Sequence, residues 1–228
     1  MTSVSTAVLL DVGGVIVLPD FTPVAVALDG QGRYVAKAAL ERAHYVTAAS
    51  IDDAYATGSR NLIDAYVQGF LDALGDPQTG PDVARAIETA FTTSWSTTID
   101  STLDAMRTLH ARGHPIGIVS NSLGHVEEGL RGICQVGEGP GAVVDAMIDS
   151  FRVGVQKPDP RIFEMALSVI GAEARDAIHV GDTIAYDVRG AQAAGIRAFH
   201  LDPWMTCPGS ADHAHIASVT ELVDLLRP

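Results

Sequence analysis

The clearest pattern along the chain is a set of short, unbroken apolar runs, each ended by polar or glycine residues. Ala7–Leu10 runs into Asp11-Val12-Gly13-Gly14, and Pro115–Val119 into Ser120-Asn121. Ala177–Val180 gives way to Gly181-Asp182-Thr183, and Arg197–Leu201 is a fourth run. Ala146–Ile148, ended by Asp149-Ser150, is a weaker fifth. Runs of this length without polar alternation predict parallel strands buried on both faces. Between them lie patterns of helical period. Ser101–Arg112 carries Leu103, Met106 and Leu109 and stops at Gly113. Pro160–Ile170 stops at Gly171, Ile184–Ala194 at Gly195, and Val219–Leu226 comes last. Strands alternating with such helices imply βαβ units and a parallel sheet covered on both faces.

Residues 18–99 follow another rule. They read as helix after helix, clearest over Lys37–Thr47, Arg60–Leu74 and Pro81–Ser96, with no strand-like run. The expected architecture is α/β: a Rossmann-like, doubly wound parallel sheet built from residues 1–17 and 100–228. A helical cap, residues 18–99, is inserted over the strand ends. Gly137–Gly141, with Pro140, is expected to be a surface loop.

Composition narrows the partners. Hydrophobic residues make up 47% and charged residues 19% of the 228, a globular balance that excludes disorder. The net charge of −13, from 15 basic against 28 acidic residues, disfavours nucleic acid and anionic membrane. An anionic substrate would need a local positive site. The two cysteines, Cys134 and Cys207, are far apart and form no C-x-x-C pair, so neither a disulfide framework nor a zinc site is expected. With no run of about 18 apolar residues and no signal-like start, a cytoplasmic location is expected.

The residues ending the strands carry the chemistry. In open α/β sheets ligands collect beyond the carboxyl ends of the strands, near the point where strand order reverses. If the first three strong strands are neighbours, Asp11, Ser120-Asn121 and Asp182 share one crevice. Two converging carboxylates without cysteine or histidine make a hard oxygen site suited to Mg²⁺. Lys157, in Lys157-Pro158-Asp159-Pro160, sits on stiff backbone just before a helix. An ammonium fixed beside a carboxylate nucleophile keeps it ionised and stabilises a transferring phosphoryl group.

These residues, in this order, resemble the four motifs of the haloacid dehalogenase-like hydrolase superfamily, in its capped phosphatase branch. The motifs stand as Leu-Leu-Asp11-Val-Gly13-Gly14-Val, Ile-Val-Ser120-Asn121, Lys157 with its Pro-Asp-Pro tail, and Val-Gly181-Asp182-Thr-Ile-Ala-Tyr-Asp187 followed by Gly190-Ala and Ala194-Gly195. The resemblance implies a phosphatase acting on a small phosphorylated metabolite. Asp11 would attack phosphorus and form an aspartyl-phosphate. Asp11, the Gly13 carbonyl and Asp182 would hold Mg²⁺, with Asp187 supporting or joining them. Ser120, the backbone amides of Gly13 and Asn121, and Lys157 would bind the phosphoryl oxygens.

One departure stands out. Where many phosphatases of the superfamily carry a second aspartate two residues after the nucleophile, this chain has Gly13. That aspartate protonates the leaving group, and a positioned general acid typically contributes about 10²–10⁴-fold. Its absence points to a substrate with a good leaving group, to a cap residue as proton source, or to a weak or inactive relative that binds a phosphometabolite or protein partner. A 2-haloacid dehalogenase ranks third, because it would not need Asp182 and Asp187. His44, Tyr45 and Asp20 are conceivable substrate contacts. His213 and His215, in Asp212-His-Ala-His215, are expected to decorate an exposed loop. The oligomeric state is left open.

Overall fold

The computed structural model describes residues 5–58, 61–75, 80–207 and 212–227. In chain order the first strands and helices are β1 (Ala7–Leu10), β2 (Val17–Pro19), α1 (Thr22–Asp29), α2 (Lys37–Ala56), α3 (Leu62–Ala73), α4 (Pro81–Thr93), β3 (Trp95–Thr98) and α5 (Asp100–Ala111). There follow β4 (Ile116–Ser120), α6 (Val126–Gly129), β5 (Cys134–Val136), β6 (Ala142–Val144), β7 (Ala146–Asp149), α7 (Ser150–Val153) and α8 (Pro160–Ile170). The chain closes with β8 (Ala177–Gly181), a π-helical turn over Ile184–Val188, α9 (Arg189–Ala193), β9 (Arg197–Leu201), β10 (Ala214–Ile216) and α10 (Thr220–Leu225).

Six strands form one parallel sheet in the order β10-β9-β8-β1-β4-β7. The strand β1 is flanked by β4 and β8, so successive crossovers leave it in opposite directions and β1 marks the switch point. All four of its residues are buried, and its period of two divides them between the two faces. Val8 and Leu10 belong to an apolar cluster with Met106 and Leu109 of α5 and Leu222 of α10. Ala7 and Leu9 belong to another with Ile162, Phe163 and Leu167 of α8 and Ala191 of α9. This is the doubly wound α/β architecture.

Helix boundaries follow local chemistry. In α8 the Asp159 side chain accepts from the Arg161 amide at 3.0 Å, Pro160 opens the helix, and Gly171 closes it at φ +77°. The helix α3 begins at Leu62; Arg60, where the sequence placed its start, lies outside the described residues. The helix expected over Ile184–Ala194 instead opens with a π-helical turn before α9.

Between β1 and β4 the helices α1 to α4 bury a separate apolar cluster that includes Leu28, Leu40, Tyr66, Phe70 and Ile87. The expectation of no strand in this stretch is corrected. Trp95–Thr98 pairs antiparallel with Val17–Pro19, so the chain enters and leaves the helical unit through a two-stranded ribbon. At four residues of alternating burial this strand leaves only a faint sequence signal. The segment 137–141 is the turn joining β5 and β6. Among the described residues no helix is long and apolar enough to cross a membrane.

Candidate active site

The carboxyl ends of β1, β4 and β8 meet below the helical unit. Asp11 follows β1, Ser120 ends β4 with 5% exposure, and Asp182 follows β8. Asp187 joins them from the π-helical turn, and one oxygen from each of Asp11, Asp182 and Asp187 falls within 4.8 Å of the others. Two glycines make room for this. Gly14 has φ +69°, and a Cβ there would lie 2.2 Å from Asp182 Oδ2; a Cβ on Gly181 would lie 2.0 Å from Asp187 Cγ. Any side chain at either position would fill the space that the carboxylates occupy.

Lys157 closes the cluster. Its side chain is 2% exposed, and Nζ lies 2.6 Å from Asp11 Oδ1 and 2.6 Å from Asp187 Oδ1. Asn121 holds it there: its Oδ1 accepts from the Lys157 amide at 2.7 Å and its Nδ2 donates to the Lys157 carbonyl at 3.0 Å. The Asn121 side chain is thus spent on placing the lysine. Its backbone amide, and the buried Ser120 hydroxyl, are the groups at the end of β4 left to meet a ligand.

Asp187 is the anchor. His179, fully buried in β8, donates from Nε2 to Asp187 Oδ1 at 3.0 Å, and the Thr183 amide and hydroxyl donate to Oδ2. In sequence alone His179 carries no role, and Thr183 stands only as part of the run that ends its strand. A histidine inside an apolar strand acquires a role only through what lies opposite it. The Phe163 ring meets His179 edge-on at 4.9 Å and fixes its plane.

The electrostatics follow from burial and these contacts. Burial pushes the Asp11 carboxyl up to about 7, with Asp187 and Asp182 adding to the rise and Lys157 opposing it. Burial also acts against charge on Lys157 and Asp187. Mutual attraction outweighs it, raising the ammonium and holding Asp187 well below the usual carboxylate range. Burial, above all, shifts the His179 imidazole below its ordinary value, against the pull of Asp187.

The helical unit reaches into the same crevice. Tyr45 donates its hydroxyl to the Gly14 carbonyl at 2.6 Å. His44 Nδ1 meets the Tyr66 hydroxyl at 2.9 Å, and His44 Nε2 lies 3.4 Å from Asp182 Oδ2. The latter approach is close enough for an ion pair with a protonated ring. Its geometry makes no hydrogen bond, so Nε2 is a buried nitrogen without such a partner. Asp52 of α2 spans to the core, accepting from the Ile184 and Ala185 amides at 2.9 and 2.6 Å. Asp20, by contrast, stays local and accepts from the Thr22 amide at 2.9 Å.

The place of the missing second aspartate is taken by an aromatic ring. A Cβ on Gly13 would lie 2.9 Å from Cζ3 and 3.0 Å from Cη2 of Trp95. The indole is pinned by its Nε1 donating to the Phe91 carbonyl at 2.5 Å. Glycine at position 13 and tryptophan at 95 are therefore one structural choice.

A nucleophile-like carboxylate at a switch point, a buried lysine and an oxygen-only donor set define a class of hydrolase, and the comparisons with known proteins agree. A family model described as a haloacid dehalogenase-like hydrolase matches residues 6–195. The chain belongs to that family. A phosphoserine phosphatase of Thermus thermophilus is 45% identical over 67 residues, which are 29% of this chain and 27% of that protein. The chain thus aligns with less than a third of this relative's length.

Among solved structures, the HAD-hydrolase YfnB of Bacillus subtilis, described as bound to magnesium, superposes with a TM-score of 0.64 at 19% identity, covering 98% of this chain and 99% of that one. A 2-haloacid dehalogenase of Pseudomonas syringae pv. Tomato superposes at 0.55 with 20% identity, covering 97% and 98%. At such identities the likeness speaks to the fold alone.

The donor set fits a hard divalent cation. Buried carboxylate oxygens are grouped within 4.8 Å of one another, with no sulfur or imidazole ligand among them. Asp187 already accepts from Lys157, His179 and Thr183, so most of its lone pairs are committed. Asp11 and Asp182 have more capacity left.

Proposed function

We propose that this chain is a Mg²⁺-dependent phosphatase for a small phosphorylated metabolite, working through an aspartyl-phosphate on Asp11. The observation that carries the reading is the pairing of Asp11 Oδ1 with a buried Lys157 ammonium at 2.6 Å, inside a cluster of three carboxylates. Lys157 together with a divalent cation on the carboxylates would offset their negative charge and give an acidic protein a place for a phosphoryl group.

In this reading Asp11, Asp182 and the Gly13 carbonyl would hold the metal, while Asp187 chiefly anchors Lys157. The chemistry that Mg²⁺ would supply there is charge neutralisation of the phosphoryl oxygens. The Asp11 oxygen not engaged by the metal attacks phosphorus, the bond from phosphorus to the leaving oxygen breaks, and the leaving group departs with its electron pair. Lys157, the Ser120 hydroxyl and the Asn121 amide stabilise the charge on the three equatorial oxygens. Water then attacks the phosphorus of the aspartyl-phosphate, the acyl-phosphate P–O bond breaks, Asp11 is restored as the carboxylate, and both hydrogens of the water leave on the inorganic phosphate.

With glycine at 13, Trp95 fills the space beside it among the described residues, where a carboxylic acid at that position would stand. The substrates that fit are those whose leaving group departs without strong protonation, such as anomeric or acyl phosphates. His44 Nε2, buried and without a hydrogen-bond partner, is the helical unit's group placed to meet a substrate oxygen.

Phosphate release from sugar, nucleotide and acyl phosphates, with and without Mg²⁺, tests the reading. Turnover is expected on the acyl and anomeric members, only with metal, and is expected to vanish in Asp11→Asn. Equal turnover in Asp11→Asn, or chloride release from 2-haloacids without metal, would overturn it.

A further inference from the structure

A second group of metal-ligating side chains lies at the edge of the sheet. His200 is on β9, Cys207 lies in the loop beyond it, and His213 and His215 lead into and lie on β10. The expected exposed loop at His213-Ala-His215 is corrected in part: Ala214–Ile216 pairs with β9 in parallel register and the His213 side chain is 1% exposed, while His215 is exposed as expected. The register places His215 directly beside His200. The period of two then brings His213 to the same face as His215. The imidazole centroids stand 4.4 Å apart for His213 and His215, 5.2 Å for His200 and His215, and 5.4 Å for His200 and His213.

Asp202 folds the loop back to complete the group. Its carboxylate accepts from the Thr206 and Cys207 amides, both at 2.9 Å, and from the Thr206 hydroxyl at 3.1 Å. Cys207 Sγ thereby comes 3.7 Å from His213 Nε2. One ligand atom from each of the four residues falls within 4.8 Å of the others.

We propose that His200, Cys207, His213 and His215 form a tetrahedral zinc site that ties the loop after β9 to the sheet edge. A CysHis₃ set of one soft and three borderline donors suits Zn²⁺ and is foreign to Mg²⁺. Bond lengths of about 2.0–2.3 Å place tetrahedral ligands roughly 3.3–3.7 Å apart. The sulfur–nitrogen pair at 3.7 Å already meets that spacing, and small side-chain rotations close the rest.

Outer partners assign the ring nitrogens in the manner usual for metal-bound histidine. His200 Nε2 lies 3.2 Å from the Asp182 carbonyl, which only accepts, so this nitrogen carries the proton. Nδ1 is then left with a lone pair, buried and without a hydrogen-bond partner, on a residue 8% exposed. His213 Nδ1 lies 2.8 Å from Asp212 Oδ1, which directs the lone pair of Nε2 toward Cys207. On binding, the Cys207 thiol gives up its proton and ligates as thiolate.

Zinc content of the untagged full chain, by mass spectrometry after dialysis against buffered Zn²⁺, is the test. A second readout is the absorption spectrum with Co²⁺ in its place. Asp182→Asn disables the carboxylate cluster and separates the two sites. About one zinc per chain is expected in the natural protein and in Asp182→Asn alike. Affinity is expected to fall by at least about tenfold in Cys207→Ser and in His215→Gln. The cobalt form is expected to show a near-ultraviolet thiolate charge-transfer band that Cys207→Ser abolishes. Cys207 is half-buried in a loop, and far-ultraviolet circular dichroism verifies that the serine variant is folded. Zinc lost in Asp182→Asn but untouched by Cys207→Ser would put the ion among the carboxylates and overturn the proposal. So would a natural protein that retains no zinc.

Discussion

Lys157 is the residue on which the proposed chemistry turns, and its position is costly. A fully buried ammonium is tolerated because two carboxylate oxygens stand 2.6 Å away and Asn121 grips its backbone on both sides. Removing one partner of such a group leaves the other charges uncompensated. Lys157→Met is therefore expected to abolish phosphate release and to destabilise the fold by about 3–5 kcal/mol. Added Mg²⁺ is expected to recover part of that loss by binding only the folded carboxylate cluster. Urea unfolding with and without Mg²⁺ measures both effects. An unchanged midpoint would show that the lysine does not balance this cluster.

At the scale of elements, the ribbon of β2 and β3 decides what can stand over Asp11. The strand β3 brings Trp95 against the backbone of Gly13, where a Cβ would meet the ring at 2.9 Å. Restoring an aspartate by sequence analogy alone therefore fails on space. Gly13→Asp by itself is expected to lower turnover, because the ring must shift and its bond to Phe91 must break. Trp95→Ala opens the space. In that background Gly13→Asp is expected to raise kcat about 10-fold or more over Trp95→Ala, as a positioned acid should. Steady-state kinetics of the three variants on an alkyl phosphate checks this. A gain from Gly13→Asp alone would show that the ring does not compete with the acid.

For the whole molecule, the issue is closure. Asp182, Asp187 and Lys157 are almost wholly buried, so in the proposed reading a substrate would reach them through an opening of the helical unit away from the sheet. The bonds that hold it closed come from Tyr45 to Gly14 and from Asp52 to Ile184 and Ala185. Burial pushes the Asp52 carboxyl from 3.8 up to about 6, against the two amide bonds that favour its charge. The unfolded chain thus releases this proton near 4 and the folded one near 6. Between those values the folded state binds more protons, and stability falls as pH rises. In Asp52→Asn this contribution disappears. The melting temperature of the natural protein minus that of the variant is expected to decline from pH 4 to pH 6 and then level off. A difference that rises across that window would reverse the assignment.

The division of labour between sequence and tertiary structure follows from the range of the forces involved. Asp11, Ser120, Asn121 and Asp182 were legible because strand-end chemistry is local. An apolar run long enough for a buried parallel strand, followed by a polar residue and glycine, places that residue in the crevice wherever the strand sits. Lys157 was legible through the stiff prolines and helix start that follow it. The spacing of strands and helices likewise determined the doubly wound sheet. What sequence left undecided were pairings across long separations. His179 gained its partner only when Asp187 turned back over β8. Trp95 took the place of an acid only when a weak four-residue strand paired with β2. His200, Cys207, His213 and His215, unremarkable by spacing, became neighbours only through the parallel register of β9 with β10 and the loop that Asp202 folds. Periodicity along the chain fixes which face a residue occupies. Which residue stands opposite is set by packing and register, and those exist only in the folded molecule.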